Sequence, residues 1–344
     1  MSLTGIWSLQ SARIAALLLA GAMCPGGAQA QGIESMLPGG ILGGTLSRDV
    51  PYGVAGLQPA RLDYLKDLRF WSSAVAGHSS LEGDPAMGTQ KVVAGVVGFS
   101  LGADVQPDSA TLLGASLGLS KQTFSSSGGN GSSQDLTVAI YGRRTLFDHA
   151  YVTGALGYGR HHVETRRTVP VFSTSLAADY DAHDFGGRLE GGYSFVFDET
   201  RVISPYTAFV GDVYHQPAYG ETVITGLPIM AASFAAKSIP VTHSELGLRF
   251  GQYFALKGES LSLDAVAAWE HELDDNPYVI ASFQAFPDSS FVVPGTRPDR
   301  ETALLGLGLR LQNGNRFTLG VRGDARIGTG ITILSGTVDL TYRW

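Results

Sequence analysis

The sequence predicts an all-β, twelve-stranded antiparallel transmembrane β-barrel with a short N-terminal lumenal helix. Three observations favour this fold class: alternation of apolar and polar residues, connections that alternate in length, and a polar strand face that is poor in Lys and rich in Gly, Ser, Thr and Arg. A secreted β-sandwich, whose strands also alternate, is the less favoured alternative. The chain has 344 residues, of which 45 are Gly and 16% are charged, against about 25% charged in ordinary soluble domains. So many glycines disfavour a long helical protein, since each costs about 1 kcal/mol inside a helix.

The first thirty residues predict a signal peptide (1–30). Residues 14–23 form an apolar run that is too short to span a bilayer as a helix. The Ala28-Gln29-Ala30 pattern predicts cleavage between Ala30 and Gln31. A lipid anchor on Cys24 is disfavoured because Met23 precedes it where a small residue is expected. The mature chain is therefore exported and contains no cysteine for a disulfide.

A short N-terminal segment (31–68) precedes the barrel (69–344) in this scheme. Residues 59–69 contain good helix formers, with Pro59 at the first position. A helix is about 10–12 Å across, and a barrel of this strand number encloses a lumen of similar width. We therefore expect a plug helix whose charged residues face the barrel wall; they are Arg61, Asp63, Lys66 and Asp67. An amphipathic turn outside the lumen is the open alternative.

Twelve segments alternate between apolar and polar residues, as half-exposed strands do. They are residues 69–77, 89–103, 110–121, 136–146, 151–162, 176–196, 202–214, 241–254, 261–271, 302–311, 316–327 and 330–344. Short connections at 105–109, 147–149, 198–201, 255–259 and 312–315 separate longer ones at 122–134, 160–174, 215–238 and 272–301. Short turns at one end and long loops at the other are typical of outer-membrane barrels, and an even strand number places both termini on the periplasmic side.

The polar face of these strands predicts a charged lumen. The candidate pore-lining residues are Arg188, Glu190, Glu245, Arg249, Arg310, Arg322, Asp324, Arg326, Asp339 and Arg343. Two interpretations stay open. Opposed arginines and carboxylates either pair across the wall and order the pore, or hold a plug or a passing chain.

Histidines beside carboxylates or serines occur at several barrel-rim positions. They are His78-Ser79-Ser80 in a predicted outer loop, His161-His162 before Glu164, His183 between Asp181 and Asp184, and His271 between Glu270 and Glu272. None has the spacing of a known catalytic motif or metal site. We therefore expect no enzymatic activity, no cofactor and no metal. The net charge of −7 without a basic stretch also disfavours a nucleic-acid partner.

From Phe70 to Trp344 the chain resembles the autotransporter β-domain, the translocator of type V secretion. The matching pieces, in order, are Phe70-Trp71, VVGFSLGADV, LLGASLGLSK, LTVAIYGRR, YVTGALGYGR, GGRLEGGYSF, HSELGLRFG, AWEHELDD, RPDRETALLGLGLRL and GTVDLTYRW. The resemblance implies a twelve-stranded barrel, a helix threading the lumen, and delivery of an N-terminal passenger to the cell surface.

Fewer than forty residues lie between Gln31 and Leu68, whereas a β-solenoid passenger needs several stacked repeats. We therefore expect an orphan or truncated member that moves or displays its own N-terminal segment. Some family members release the passenger by cyclisation of an Asn in the plug helix. The first Asn here is Asn130, so we expect the segment to stay attached. A porin-like channel or a loop-based adhesin is the alternative, and a rim-sited hydrolase is the least favoured.

The resemblance also implies a location and partners. We expect a monomer in the outer membrane of a Gram-negative bacterium, in contact with outer-membrane lipid, periplasmic chaperones and the barrel-assembly machinery. The C-terminal residues Val338, Leu340, Tyr342 and Trp344 resemble the signal that this machinery reads. An aromatic girdle at the membrane interface is the other interpretation.

Overall fold

The computed structural model describes residues 68–343, apart from 85–87, 148, 199, 257–258, 275–277, 296–299 and 314–315. Twelve long strands occur in this part of the chain: β1 (Arg69–Leu81), β2 (Val92–Asp108), β3 (Thr111–Ser126), β4 (Gly129–Leu146), β5 (Ala150–Val169), β6 (Thr174–Tyr193), β7 (Arg201–Gln216), β8 (Lys237–Leu256), β9 (Glu259–Glu272), β10 (Glu301–Asn313), β11 (Phe317–Gly328) and β12 (Ile331–Arg343). The signal peptide with Ala30 and Gln31, the plug residues Arg61, Asp63, Lys66 and Asp67, and Trp344 lie outside the described residues.

The twelve strands close into an antiparallel barrel. Each strand pairs with the next along the chain, and β1 pairs with β12 from Arg69↔Arg343 to Leu81↔Ile331. A closed sheet leaves no unpaired edge, which is the condition for a sheet to cross lipid. The predicted all-β, twelve-stranded fold is therefore confirmed.

The N-terminal end of β1 corrects the predicted boundary of the plug helix. Arg69, the last residue of that predicted helix, is extended and pairs with Arg343 of β12 and Asp104 of β2. In the described residues the helical elements are two 3-10 turns, Pro170–Phe172 and Pro228–Met230. None of the helices in the described ranges has the length and apolar character needed to cross a membrane.

The outer face of the barrel is apolar, as the alternation requires. On β10 the side chains of Leu305, Leu307 and Leu309 point outward, and Leu307 is 57% exposed. Gly308 and Arg310 occupy the alternate positions of β10, which face the lumen. Lipid is the solvent for the outward residues, and polar groups line the inside.

Tight turns join the strands at the end that carries both termini of the described chain. After β6, a short strand at Phe195–Val196 pairs with the start of β7, and Asp198 organises the turn that follows. Its carboxylate accepts hydrogen bonds from the backbone and the hydroxyl of Thr200, at 2.8 and 2.7 Å, and from Arg201 Nε at 2.8 Å. The hydroxyl of Thr200, followed by Arg201, holds the pKa of Asp198 below its usual range.

The strands extend further at the opposite end than the sequence predicts. The structure corrects two predicted loops: residues 122–134 are mostly the paired ends of β3 and β4, and residues 160–169 continue β5. His78, Ser79 and Ser80, expected in an outer loop, belong to β1. Above the lipid both faces of a strand can be polar, so the apolar alternation fades while the backbone pairing continues.

The two longest loops fold together into a sheet that we call the cap. Its strands are Tyr219–Gly220, Ala232–Phe234, Tyr278–Phe283 and Phe286–Pro294. Its apolar core packs against Val169 and Leu176, at the outer ends of β5 and β6. The guanidinium group of Arg167 holds both carboxylate oxygens of Glu221 and the carbonyl of Met230. The cap is therefore attached to β5 by a buried ion pair as well as by its core.

Candidate functional site

The lumenal wall brings the predicted charged residues together. These residues occupy the inward-facing positions of β6, β8, β10, β11 and β12. They are Arg188, Glu190, Glu245, Arg249, Arg310, Arg322, Asp324, Arg326, Asp339 and Arg343. The period-two geometry of a strand produces this segregation, since successive side chains point to opposite faces.

Four of these residues form one network across β6 and β8. Arg188 donates to both oxygens of Glu245, at 2.6 and 2.7 Å, and to Glu190 at 2.8 Å. Arg249 donates to the two oxygens of Glu190, both at 2.7 Å. The four side chains are nearly buried. Each carboxylate thus has a guanidinium partner, which offsets the cost of removing it from water.

Two tyrosines support this network from neighbouring strands. Tyr151 of β5 donates its hydroxyl to Glu190 at 3.0 Å. Tyr206 of β7 lies under the guanidinium of Arg249, 4.1 Å from the ring centroid, where a cation–π contact forms. Gly192 leaves room for the ring of Tyr151, because a Cβ there would lie 2.5 Å from it. The glycine-rich wall therefore allows aromatic rings to lie flat against the backbone.

A second network lines β9, β10 and β11. Arg322 donates to Asp264 at 2.9 Å and to Asp324 at 2.6 Å. Arg326 donates to Glu270 at 2.8 Å, and Thr302 donates to the other oxygen of Glu270 at 2.7 Å. Asp264 and Glu270 were not among the predicted pore residues. The alternation along β9 indicates that both side chains face the lumen. Their arginine partners depend on the register of the neighbouring strands.

The start of the barrel carries a third group of lumenal contacts. Arg69 Nε donates to Asp104 at 2.5 Å, and Trp71 Nε1 donates to the hydroxyl of Tyr141 at 2.8 Å. The hydroxyl of Tyr141 in turn donates a hydrogen bond to the carboxylate of Asp104, at 3.3 Å. This group is not predicted from the sequence, although Arg69 and Trp71 are two residues apart on β1 and therefore point to the same, inward face.

The paired histidines of β5 lie on opposite faces of the wall. His161 points inward, between Asp135 at 2.9 Å and Asp184 at 2.6 Å. His162 points outward and contacts Asp181 at 3.1 Å. A dipeptide that suggests one site in the sequence therefore contributes to two separate environments.

The histidine of β9 is separated from its flanking glutamates in the same way. His271 points outward, with its Nδ1 2.7 Å from Glu301, whereas Glu270 and Glu272 occupy inward positions. On β6, His183 bonds the hydroxyl of Tyr158 at 2.7 Å, on the outer surface. His161 is thus bound by two aspartates, whereas His162, His183 and His271 each contact a residue of the neighbouring strand.

The arrangement gives the lumen a polar wall on which the arginines named in these contacts are paired with carboxylates. In the two networks, arginines and carboxylates pair with one another, so these fixed charges stay in place without a ligand. Such a wall offers hydrogen-bonding groups to a chain in transit.

Residues 70–324 match the family model described as the Autotransporter beta-domain. The chain belongs to this family. The autotransporter adhesin/invasin TibA of Escherichia coli O78:H11 (strain H10407 / ETEC) is 32% identical over 137 residues, which cover 38% of this chain and 13% of TibA. The chain therefore matches about one eighth of the length of that relative.

Solved autotransporter domains have the same fold. The translocator domain of NalP from Neisseria meningitidis superposes with a TM-score of 0.72 at 16% identity, covering 92% of this chain and 98% of NalP's. The β-domain of the Bordetella autotransporter BrkA gives a TM-score of 0.61 at 19% identity, covering 81% and 100%. The chain is an autotransporter translocator barrel of the outer membrane, and surface display of a passenger is the general role of such domains.

Proposed function

We propose that this barrel carries the chain joined ahead of β1 through its lumen and displays it at the cell surface. In the present sequence that chain includes residues 31–68. The observation that carries the proposal is the position of Arg69. Its side chain turns into the lumen at the terminal end of the barrel and binds Asp104 there, so the preceding residue joins the barrel at the periplasmic mouth of the lumen.

The width of the barrel supports passage of a single chain. Twelve strands spaced about 4.8 Å apart and tilted by about 40° enclose a backbone diameter of about 24 Å. Side chains that project about 5 Å from each wall leave about 14 Å. One helix of about 10–12 Å, or an extended chain, fits that space.

An epitope inserted after Gly44 tests the proposal in a Gram-negative host. We expect antibody to label this tag on intact cells, because the segment ends outside the membrane. A tag in the β2–β3 turn, between Ser109 and Ala110, is the periplasmic control and should require permeabilised cells. A tag between Asp288 and Ser289 in the cap is the surface control.

Labelling of the Gly44 tag only after permeabilisation, with the cap tag accessible on intact cells, would contradict the proposal. The two control tags report orientation, so this result could not come from an inverted barrel. Tagged proteins that migrate as folded, heat-modifiable species on gels exclude misassembly as the cause.

A second candidate function is adhesion through the cap. Several large apolar side chains of this region are exposed, including Val171, Ile224 and Phe286, and Val292 is 61% exposed. Exposed apolar side chains grouped in one region are typical of interaction surfaces, and TibA is an autotransporter adhesin/invasin. We expect Val292→Lys to reduce binding of expressing cells to epithelial monolayers. Ser290→Lys adds the same charge on the same strand and should not.

We also propose that the barrel-assembly machinery inserts this chain as a monomer by reading its C-terminal strand. Val338 and Leu340 point outward into lipid, and the ring of Tyr342 packs against that of Phe317, tilted by 46°, with centroids 5.0 Å apart. Outward residues of this kind on β12 provide an apolar edge for recognition before the barrel closes. Deletion of Trp344 should lower the amount of heat-modifiable barrel in the outer membrane, and an unchanged amount would favour the girdle interpretation.

A further inference from the structure

Four ionisable residues meet where β8 and β9 separate toward the cap. His243 pairs with Glu272, and Glu245 pairs with Glu270, at the outer end of this strand ladder. All four occupy inward positions. The residues therefore line the lumen close to its outer mouth.

The geometry of this cluster brings three donor atoms together. His243 Nε2 lies 3.5 Å from Glu245 Oε1. One nitrogen of His243 and one oxygen each of Glu245 and Glu270 lie within 4.8 Å of one another. His243 Nε2 is buried and has no hydrogen-bond partner in the described part of the chain. A buried polar atom that lacks a partner is costly, so this nitrogen is available to a ligand.

The two carboxylates are already held in position by groups behind them. Arg188 donates to both oxygens of Glu245, and Arg326 and Thr302 donate to Glu270. A carboxylate has about four lone-pair sites, so each glutamate retains capacity for a cation. Hydrogen bonds to ligating carboxylates orient the ligands of many metal sites.

We propose that His243, Glu245 and Glu270 bind a divalent transition-metal ion. One imidazole with carboxylates suits Zn²⁺ or Mn²⁺, whereas Ca²⁺ and Mg²⁺ prefer oxygen ligands alone. Tetrahedral zinc with bonds of about 2.0–2.2 Å separates its ligand atoms by about 3.4 Å. The spacing of His243 and Glu245 is close to that value.

The charges around the cluster favour a cation. The neighbouring carboxylates and guanidinium groups belong to Glu190, Glu245, Glu270 and Glu272, and to Arg188, Arg249 and Arg326. Negative charge is therefore in excess. A proton on His243 that pairs with Glu245 is the competing explanation, and it needs no metal.

Zinc titration of the purified full-length protein in detergent distinguishes these explanations. After treatment with EDTA, the protein is titrated with ZnCl₂ by isothermal calorimetry. We expect one equivalent to bind, and His243→Ala to weaken binding by more than the roughly 10–100-fold that loss of an outer-shell partner costs. His271→Ala is the matched control, because His271 lies on the outer face of β9 beside Glu301, and its loss should leave zinc affinity unchanged.

X-ray absorption on the zinc-loaded wild-type protein gives a readout that depends on no variant. We expect scattering from a single imidazole and from oxygen ligands. Absence of zinc binding, absence of the imidazole, or equal affinity in wild type and His243→Ala would overturn the proposal. Heat-modifiable gel migration establishes that each variant has folded, and Glu270→Gln should weaken zinc binding in a folded barrel even if His243→Ala does not assemble.

Discussion

Loss of Arg188 should destabilise the barrel more than loss of a surface charge. Its guanidinium makes three hydrogen bonds at 2.6–2.8 Å, and its side chain is 9% exposed. In Arg188→Met, Glu190 keeps both bonds from Arg249, whereas Glu245 loses both bonds from Arg188 and keeps the 3.4 Å bond from the hydroxyl of Tyr206. Because Glu245 is 2% exposed, it becomes a buried charge with a missing partner. We expect the free energy of unfolding to fall by about 3–5 kcal/mol.

A second substitution separates charge imbalance from lost packing. Glu245→Gln, added to Arg188→Met, removes the carboxylate that the first change leaves unpaired. The double variant should therefore be more stable than Arg188→Met alone. The coupling energy of the two changes should be about 2 kcal/mol or more, within the range for residues of one network.

Urea unfolding in phospholipid vesicles, followed by tryptophan fluorescence, measures these free energies. Lys91→Met is the matched control, because its pair with Glu82 is more than half exposed on both sides. An exposed pair contributes less than about 1 kcal/mol. The reasoning fails if Arg188→Met costs no more than Lys91→Met, or if Arg188→Met and Glu245→Gln are simply additive.

Two further changes test the faces of the wall and the attachment of the cap. Leu307→Arg on the lipid face should cost about 2–4 kcal/mol near the membrane centre, and Thr318→Arg on the lumenal face much less. Urea unfolding compares them, and equal costs would reverse the assigned faces. Arg167→Met leaves Glu221 without its guanidinium partner, so protease added to intact cells should cleave within residues 217–236. Unchanged resistance would mean that the apolar core alone holds the cap.

The strands within the membrane could be predicted because lipid imposes one rule on them. Outward residues such as Leu334, Val338 and Leu340 must be apolar, and Thr337 and Asp339 between them face the lumen. The same alternation predicts the inward charges, since a strand has only two faces. Strand number and the phase of each face therefore follow from the sequence.

The strands above the membrane could not be predicted by that rule. The outer half of β5 carries Arg160, His162 and Glu164 on its outward face, where water or the cap replaces lipid. Polar residues then occur in both phases, and the segment resembles a loop in the sequence. The paired register with β6 continues to Val169↔Thr174, because backbone hydrogen bonds do not depend on hydropathy.

Which charged residues pair in the lumen depends on the register between neighbouring strands. The alternation of apolar and polar residues does not reveal that register. Glu270 and Glu272 flank His271 in the chain, yet the wall separates them from it and places them beside His243. Likewise Arg322 of β11 donates a hydrogen bond to Asp264 of β9, and β10 lies between these two strands in the chain. Periodicity assigns each side chain to a face, but only the pairing of neighbouring strands determines which charges meet.

The lumen and the cap are physically separable because β5 is paired along its whole length. Arg167 and Val169 at its outer end hold the cap, and Tyr151 at its other end supports Glu190. Between these ends, β5 is hydrogen-bonded to β4 and β6 without a register shift. Opening the cap would therefore free the last residues of β5 and leave the lumenal network in place. Substitutions on the cap surface should consequently alter adhesion without altering display, so the two proposed roles can be tested one at a time.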